Sequence, residues 1–172
     1  GAYAEDGIPI IGVVYEPLKG RLFFAQRGQG AYVTEKSNTT RLEPLNLVTW
    51  DNSIVGHPKN YKGDKYTRLY ELMGIQEERL RLSGSMGTRM MQVALEETHM
   101  ILGYTKSLKE WDIAAGHVIL AERGISVTDM NGNPLRYNQE VPKTHNGILV
   151  VHPDIKRVTL EKLAQCYERL EM

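Results

Sequence analysis

Excess charge, paired cysteines and long apolar runs are all missing from this 172-residue chain, and each absence excludes something. Lys plus Arg equals Asp plus Glu at 21 each, so no bulk attraction draws the chain to nucleic acid or anionic membrane. Any anion it binds has to be recognised by a local site. The single cysteine, Cys166, excludes an intrachain disulfide and suits a reducing compartment. It falls in a late helical pattern, where an inert buried thiol is the ordinary outcome. No apolar run approaches the roughly 20 residues that span a bilayer, and no basic-then-apolar leader opens the chain. The expectation is a cytoplasmic protein without nucleic-acid or membrane partners. The five histidines (57, 99, 117, 145 and 152) lack metal-ligand spacing, and His117 reads as a packed or surface residue inside a helix. No nucleophile elbow is present, so covalent acyl chemistry has no support. The chain lacks an initiator methionine and enters a strand pattern almost at once, as the later part of something longer would.

The residues that are present describe a globular domain, with 41% apolar and 24% charged residues placing it outside the disordered range. GIPIIGVVYEP and GRLFFAQRG are β-rich runs joined at Pro17 to Gly20 as a hairpin, and GAYVTE follows as a third strand. Gly28-Gln29-Gly30 resembles a phosphate loop in composition. It sits between two strand patterns and opens no helix, so it reads as a turn. SNTT near Ser37 reads as a loop. Beyond residue 50 strands and helices alternate. SIVGH is a strand, Asp64 to Met73 a helix closed by Gly74, and RLRLSG a strand leading into a second helix over Ser85 to Glu97. HMILGY leads into a third helix, Trp111 to Arg123, ended by Gly124. ISVTD, NGN and PLRY read as strand, turn and strand. GILVVHP is a final buried strand, and Asp154 caps a closing helix to Leu170. The expected fold class is α/β in α+β-type layers, a single domain over 1–172 with hairpin-rich strands over 1–50 and an alternating portion over 51–172.

Two helix starts follow strands and carry candidate chemistry. At SGSMGTRMM, Gly84 and Ser85 stand where unpaired N–H groups and the helix dipole favour an anion. Arg89 lies one turn on with a forked cation suited to phosphate. On the residues alone, Ser85 as an ordinary helix cap is the plainer reading. At KEWDIAAGHVILAERG, Asp112 is either a cap contributing about 1 kcal/mol or a hard oxygen ligand for Mg²⁺. One carboxylate makes no Mg²⁺ site, and Glu96, Glu97 and Glu110 offer no diagnostic arrangement with it.

These stretches together resemble the inositol monophosphatase family, which includes the 3′(2′),5′-bisphosphate nucleotidases and related Mg²⁺-dependent, lithium-sensitive phosphatases. Trp111-Asp112-Ile113-Ala114-Ala115-Gly116 with Glu122 and Gly124 is similar to its C-terminal signature. IIGVVYEPLKGRLFFAQRGQGAYV resembles its paired strands, Leu82-Ser83-Gly84-Ser85 its strand-to-helix step, and DMNGNPLRYN its late hairpin. The resemblance implies a sugar-phosphatase-like layered fold, of which this chain is the C-terminal portion. It implies that Asp112 ligates Mg²⁺ and that Gly84, Ser85, Arg89, Lys109 and Asp112 contact a small phosphorylated substrate. The family's glutamate pair and Asp-Pro-Ile/Leu-Asp-Gly-Thr motif do not occur in these residues. They supply most metal ligands and the helper for the attacking water, so no catalytic residue is expected within this chain and the isolated chain is expected to be inactive. Thr105 stands where inositol phosphatases carry a glutamate, and Arg89 where nucleotidases tend to carry lysine. Both tilt the expected activity toward bisphosphate nucleotidase, with inositol-1-phosphate phosphatase or a non-catalytic binding domain as alternatives, Li⁺ as inhibitor and a homodimer as a possible state.

Overall fold

The computed structural model describes residues 1–59, 64–104, 108–144 and 146–170. Five strands come first: β1 (Ala2–Glu5), β2 (Ile8–Glu16), β3 (Arg21–Gln26), β4 (Ala31–Glu35) and β5 (Asn38–Arg41). They pair in sequence order as an antiparallel meander. After them come β6 (Val55–Pro58), α1 (Asp64–Met73), β7 (Leu80–Ser83), α2 (Met86–Ala94) and β8 (Met100–Gly103). The chain closes with α3 (Glu110–Ala121), β9 (Ser126–Thr128), β10 (Ile148–Val151) and α4 (Pro153–Leu170). The second sheet has the order β7-β6-β8-β10-β9, with β6 parallel to β7 and β8 and with β10 antiparallel to β8 and β9.

Side-chain alternation stacks these elements in layers. Ile101, Ile148, Val150 and Val127 face one side of the second sheet and share a core with α2, α3 and the inner face of the first sheet. Met100, Leu102, Leu149 and Val151 face the other side, where α1 and α4 cover them. β8 and β10 are therefore buried throughout, which is why MILG and ILVV are apolar runs and not alternating ones. α3 lies between the sheets and from Ile113 to Leu120 is apolar nearly all round, as an enclosed stretch of helix must be. It approaches β2 so closely that a side chain on Gly12 would fall on the Ala115 carbonyl oxygen. Gly116 gives the same proximity to Met90 of α2. No helix among the described residues is long and apolar enough to cross a membrane.

The crossing from the first sheet to the second, residues 42–54, contains no strand or helix. It is held by side chains reaching in from five places. Glu96 accepts the Asn46 N–H and side-chain amide at 2.8 and 3.2 Å, and Asp154 accepts the Val48 N–H at 3.1 Å. His99 Nδ1 accepts the Ile54 N–H at 2.9 Å. Arg79 donates to the carbonyls of Trp50 and Ser53, and Arg123 to that of Glu43. These contacts satisfy backbone groups that no ladder reaches.

The layered α/β class is as expected, while several local readings are corrected. SNTT is no loop, since Asn38–Arg41 pairs with β4 through a turn at Lys36 and Ser37 with φ of 47° and 66°. Neither turn residue is glycine or asparagine, so the hairpin carried no signal. The opening residues form β1, turned into β2 at Asp6-Gly7. α2 ends at Ala94, three residues short of the expected Glu97, because Glu96 takes a left-handed φ of 58° and its carboxylate serves Asn46. PLRY forms no strand beyond one bridge at Pro134. The Asp129 carboxylate instead gathers the N–H groups of Asn131 and Asn133 and the side chains of Asn133 and Asn146. Those hydrogen bonds outweigh the upward push of burial and hold Asp129 below the usual carboxylate range. α4 starts at Pro153, so Asp154 is a first-turn residue, not the cap.

Candidate active site

β6, β7 and β8 run in one direction, so their carboxyl ends share one edge of the second sheet. α2 follows β7 directly and α3 follows β8, so both helices begin at that edge and pack side by side, with Met90 seated against Gly116. Ligands of open α/β sheets collect outside the carboxyl ends of strands for this reason.

At the start of α2, Ser85 is the cap: its Oγ accepts the Thr88 N–H at 3.2 Å. Its hydroxyl also lies 3.1 Å from the Thr88 hydroxyl. The cap leaves the first-turn amides of Met86 and Gly87 without intrahelical partners. Gly84 beside them is exposed, and among the described residues nothing beyond its chain neighbours lies within 4 Å of where a side chain would stand. Among the described residues this turn offers backbone N–H groups at an exposed helix start. The readings of Ser85 as cap and of this turn as an anion cradle are compatible, although the serine hydroxyl itself is committed to Thr88.

Arg89 is placed differently from a surface phosphate clamp. It is 7% exposed, and among the described residues its Nε and Nη1 have no hydrogen-bond partner. Its spacing explains the burial, since it lies three residues after Met86 and four before Val93, both buried. Burial holds its pKa below the usual value, with Tyr66 and Tyr70 of α1 as its nearby titratable groups. His57, at the end of β6, shares a 2.8 Å hydrogen bond with the Tyr70 hydroxyl and packs edge-on to Tyr66. Burial first, and the Arg89 charge second, depress His57 and keep it neutral. Burial raises Tyr70 well above the ordinary phenol range, so its hydroxyl stays protonated.

Asp112 is exposed in the first turn of α3, where its Oδ2 accepts the Lys109 N–H at 3.0 Å. The Lys109 ammonium lies 6.0 Å over the exposed Trp111 ring. Among the described residues no group of three or more His, Cys, Asp or Glu is arranged to hold a metal ion. The residues present therefore do not fit a complete Mg²⁺ site, and no chemical step is assigned to a metal here. Two residues weighed from sequence, Thr105 and His145, lie outside the described residues.

The glycine turn is also resolved. Gly28 and Gly30 direct their N–H groups at Glu122 near the end of α3, each at 2.7 Å. The turn that resembled a phosphate loop already binds an anion, the chain's own carboxylate. Sequence reading missed this contact across more than 90 positions, and missed Met86, Gly87, His57 and Tyr70 around the edge.

Layering, strand order and the helix starts define a sugar-phosphatase-like α/β fold. The model of the inositol monophosphatase family matches residues 2–168. The chain is 26% identical over 159 residues to the inositol-1-monophosphatase of Bacillus subtilis, covering 92% of this chain and 57% of that one. It is 28% identical over 137 residues to the 3′(2′),5′-bisphosphate nucleotidase CysQ of Aggregatibacter actinomycetemcomitans, covering 78% and 49%. Among solved structures it superposes on inositol monophosphatase II of Staphylococcus aureus with inositol monophosphate bound, at 26% identity, 98% and 61% coverage and a TM-score of 0.79. The same enzyme with 2′-AMP bound gives 28% identity, 97% and 64% coverage and 0.74. This chain belongs to the inositol monophosphatase family. It spans about half to three-fifths of the length of these relatives.

Proposed function

We propose that this chain supplies the substrate-facing part of a Mg²⁺-dependent phosphomonoester hydrolase site, with 3′(2′),5′-bisphosphate nucleotides as the preferred substrates. The observation that carries the reading is the start of α2, where Gly84, exposed among the described residues, adjoins the Met86 and Gly87 amides that the helix leaves without intrahelical partners. In this reading those amides and Gly84 receive a phosphate, with Lys109 and Asp112 beside it on the same sheet edge. Asp112 contributes one metal ligand, and the remaining acidic ligands and the water-activating group come from polypeptide beyond this chain. When bound, the ion would supply charge neutralisation at the phosphoryl group and a reactive hydroxide.

The preference for a bisphosphate rests on Arg89, a buried guanidinium one turn from that helix start, two of whose nitrogens have no partner among the described residues. A second phosphate is the chemistry that satisfies such donors with a forked, charge-assisted pair. The alternative, inositol 1-phosphate, is favoured by the similarity to the Staphylococcus aureus enzyme with inositol monophosphate bound. The test is a Mg²⁺ phosphatase panel on the whole protein with 3′-phosphoadenosine 5′-phosphate, inositol 1-phosphate and fructose 1,6-bisphosphate, with and without Li⁺. A preference for inositol 1-phosphate overturns the substrate assignment. The 172-residue chain alone should bind Mg²⁺ weakly and turn over little, and a robust Mg²⁺-dependent rate from it would refute the shared-site reading.

A further inference from the structure

A cleft of about 530 Å³ lies along the flank of α3, where that helix meets the first sheet and β9. Ile8 at the start of β2 stands on one side, Val127 of β9 and Leu135 on the other, with His117 and Val118 of α3 between them. Gly84, Ser85, Arg89, Lys109 and Asp112 take no part in its lining, so it is separate from the sheet-edge site. Its size and mainly apolar walls with a few polar groups are those of a small-molecule site.

The polar groups of the cleft differ in what they have left to give. The Glu122 carboxylate is taken by the Gly28 and Gly30 N–H groups, and the Thr128 hydroxyl donates to the Asp129 carbonyl at 2.9 Å. Arg27 is exposed in the turn after β3, and among the described residues its guanidinium has no ion pair or hydrogen bond. His117 is half-buried, with Nδ1 2.8 Å from the Tyr137 hydroxyl. Tyr137 is 2% exposed, and burial keeps its hydroxyl protonated. A buried hydroxyl proton needs an acceptor, and Nδ1 is the one it has among the described residues. The proton of the neutral imidazole then stands on Nε2, which is left as a donor.

We infer that this cleft binds a small monocarboxylic acid with a compact apolar body. Arg27 pairs with the carboxylate, His117 Nε2 is a further donor, and the body lies over Val118 between Ile8 and Leu135. One guanidinium beside apolar walls matches a monoanion, while the Glu122 carboxylate next to it disfavours a dianion such as phosphate. The site is independent of the phosphatase reading, so its test uses no turnover.

The test titrates the 172-residue chain with 3-phenylpropionate and follows the His117 ring protons by NMR, assigned by their loss in His117→Gln. The uncharged 3-phenylpropanol and inorganic phosphate are the comparisons. The acid should bind saturably with a Kd on the order of 1 mM. It should bind at least about fivefold more tightly than the alcohol, with phosphate weaker than both. Arg27→Gln should bring the acid to the affinity of the alcohol. Ala121→Phe, which fills the cleft from an exposed position on α3, should weaken acid and alcohol alike by about tenfold or more. Both changes are at exposed positions, so the fold is retained. The inference is overturned by an absence of saturable shifts at His117, by equal affinities for acid and alcohol, or by phosphate binding as tightly as the acid. Undiminished binding to Ala121→Phe also overturns it, by putting the ligand elsewhere.

Discussion

Acidification should destabilise this fold through His117, and the size of the effect follows from its surroundings. His117 sits on α3 with Nδ1 2.8 Å from the Tyr137 hydroxyl, and burial pushes its pKa down to about 4. In the unfolded chain the same imidazole titrates near its ordinary value of about 6.5. Above that pH it is neutral in both states and its contribution to stability is fully present. As pH falls below it, the unfolded chain takes up a proton that the folded chain refuses until about 4. Stability is therefore lost at about 1.4 kcal/mol per pH unit across that window, or about 2 kcal/mol by pH 5. The assay is urea unfolding at pH 7, 6 and 5 for the natural chain and for His117→Gln, which retains a polar partner for Tyr137 and cannot titrate. Burial also depresses His57, His99 and His152, and these titrate in both proteins, so the difference isolates His117. The variant should lose about 2 kcal/mol less between pH 7 and 5. Parallel curves for the two proteins would refute the claim that His117 is buried and neutral.

Removing the carboxylate in Glu122→Ala leaves the Gly28 and Gly30 N–H groups without their acceptor, and should cost about 2–4 kcal/mol in urea unfolding, with Glu122→Gln between the two. Arg89→Met removes a buried guanidinium with two nitrogens unpartnered among the described residues, so it should leave stability unchanged or raise it by about 1 kcal/mol. In the whole protein the same change should lower kcat/KM for a bisphosphate nucleotide about tenfold or more relative to inositol 1-phosphate. A uniform loss on both substrates would remove Arg89 from substrate selection.

Elements with explicit punctuation were legible. α1 was read from Asp64 to Met73 because Gly74 stops it, and α3 because its apolar run ends before Gly124. β5 was not, because a left-handed Lys36-Ser37 turn uses residues with no preference for that geometry. PLRY misled for another reason: its alternation is that of a strand, but the neighbouring backbone is claimed by the Asp129 carboxylate, a tertiary choice invisible to periodicity. Gly84, Ser85 and Asp112 stand at the helix starts where the sequence puts them, because helix starts are written in the local sequence. The buried setting of Arg89 was half legible, since its spacing to Met86 and Val93 puts it on the apolar face, while the neighbours that surround it come from α1 and β6. Glu122 was seen within a motif, but its partners lie in the first sheet and no local pattern announces them.

The Glu122 clasp also bears on where Asp112 stands. Ten residues separate them along α3, a rise of about 15 Å. Enclosed between two sheets, with Gly12 and Gly116 admitting its neighbours to backbone contact, α3 behaves as a stiff rod clamped at its far end by the Gly28–Gly30 hairpin. The carboxylate at its near end inherits its aim from that clamp. The first sheet thus holds one end of the helix whose other end carries Asp112.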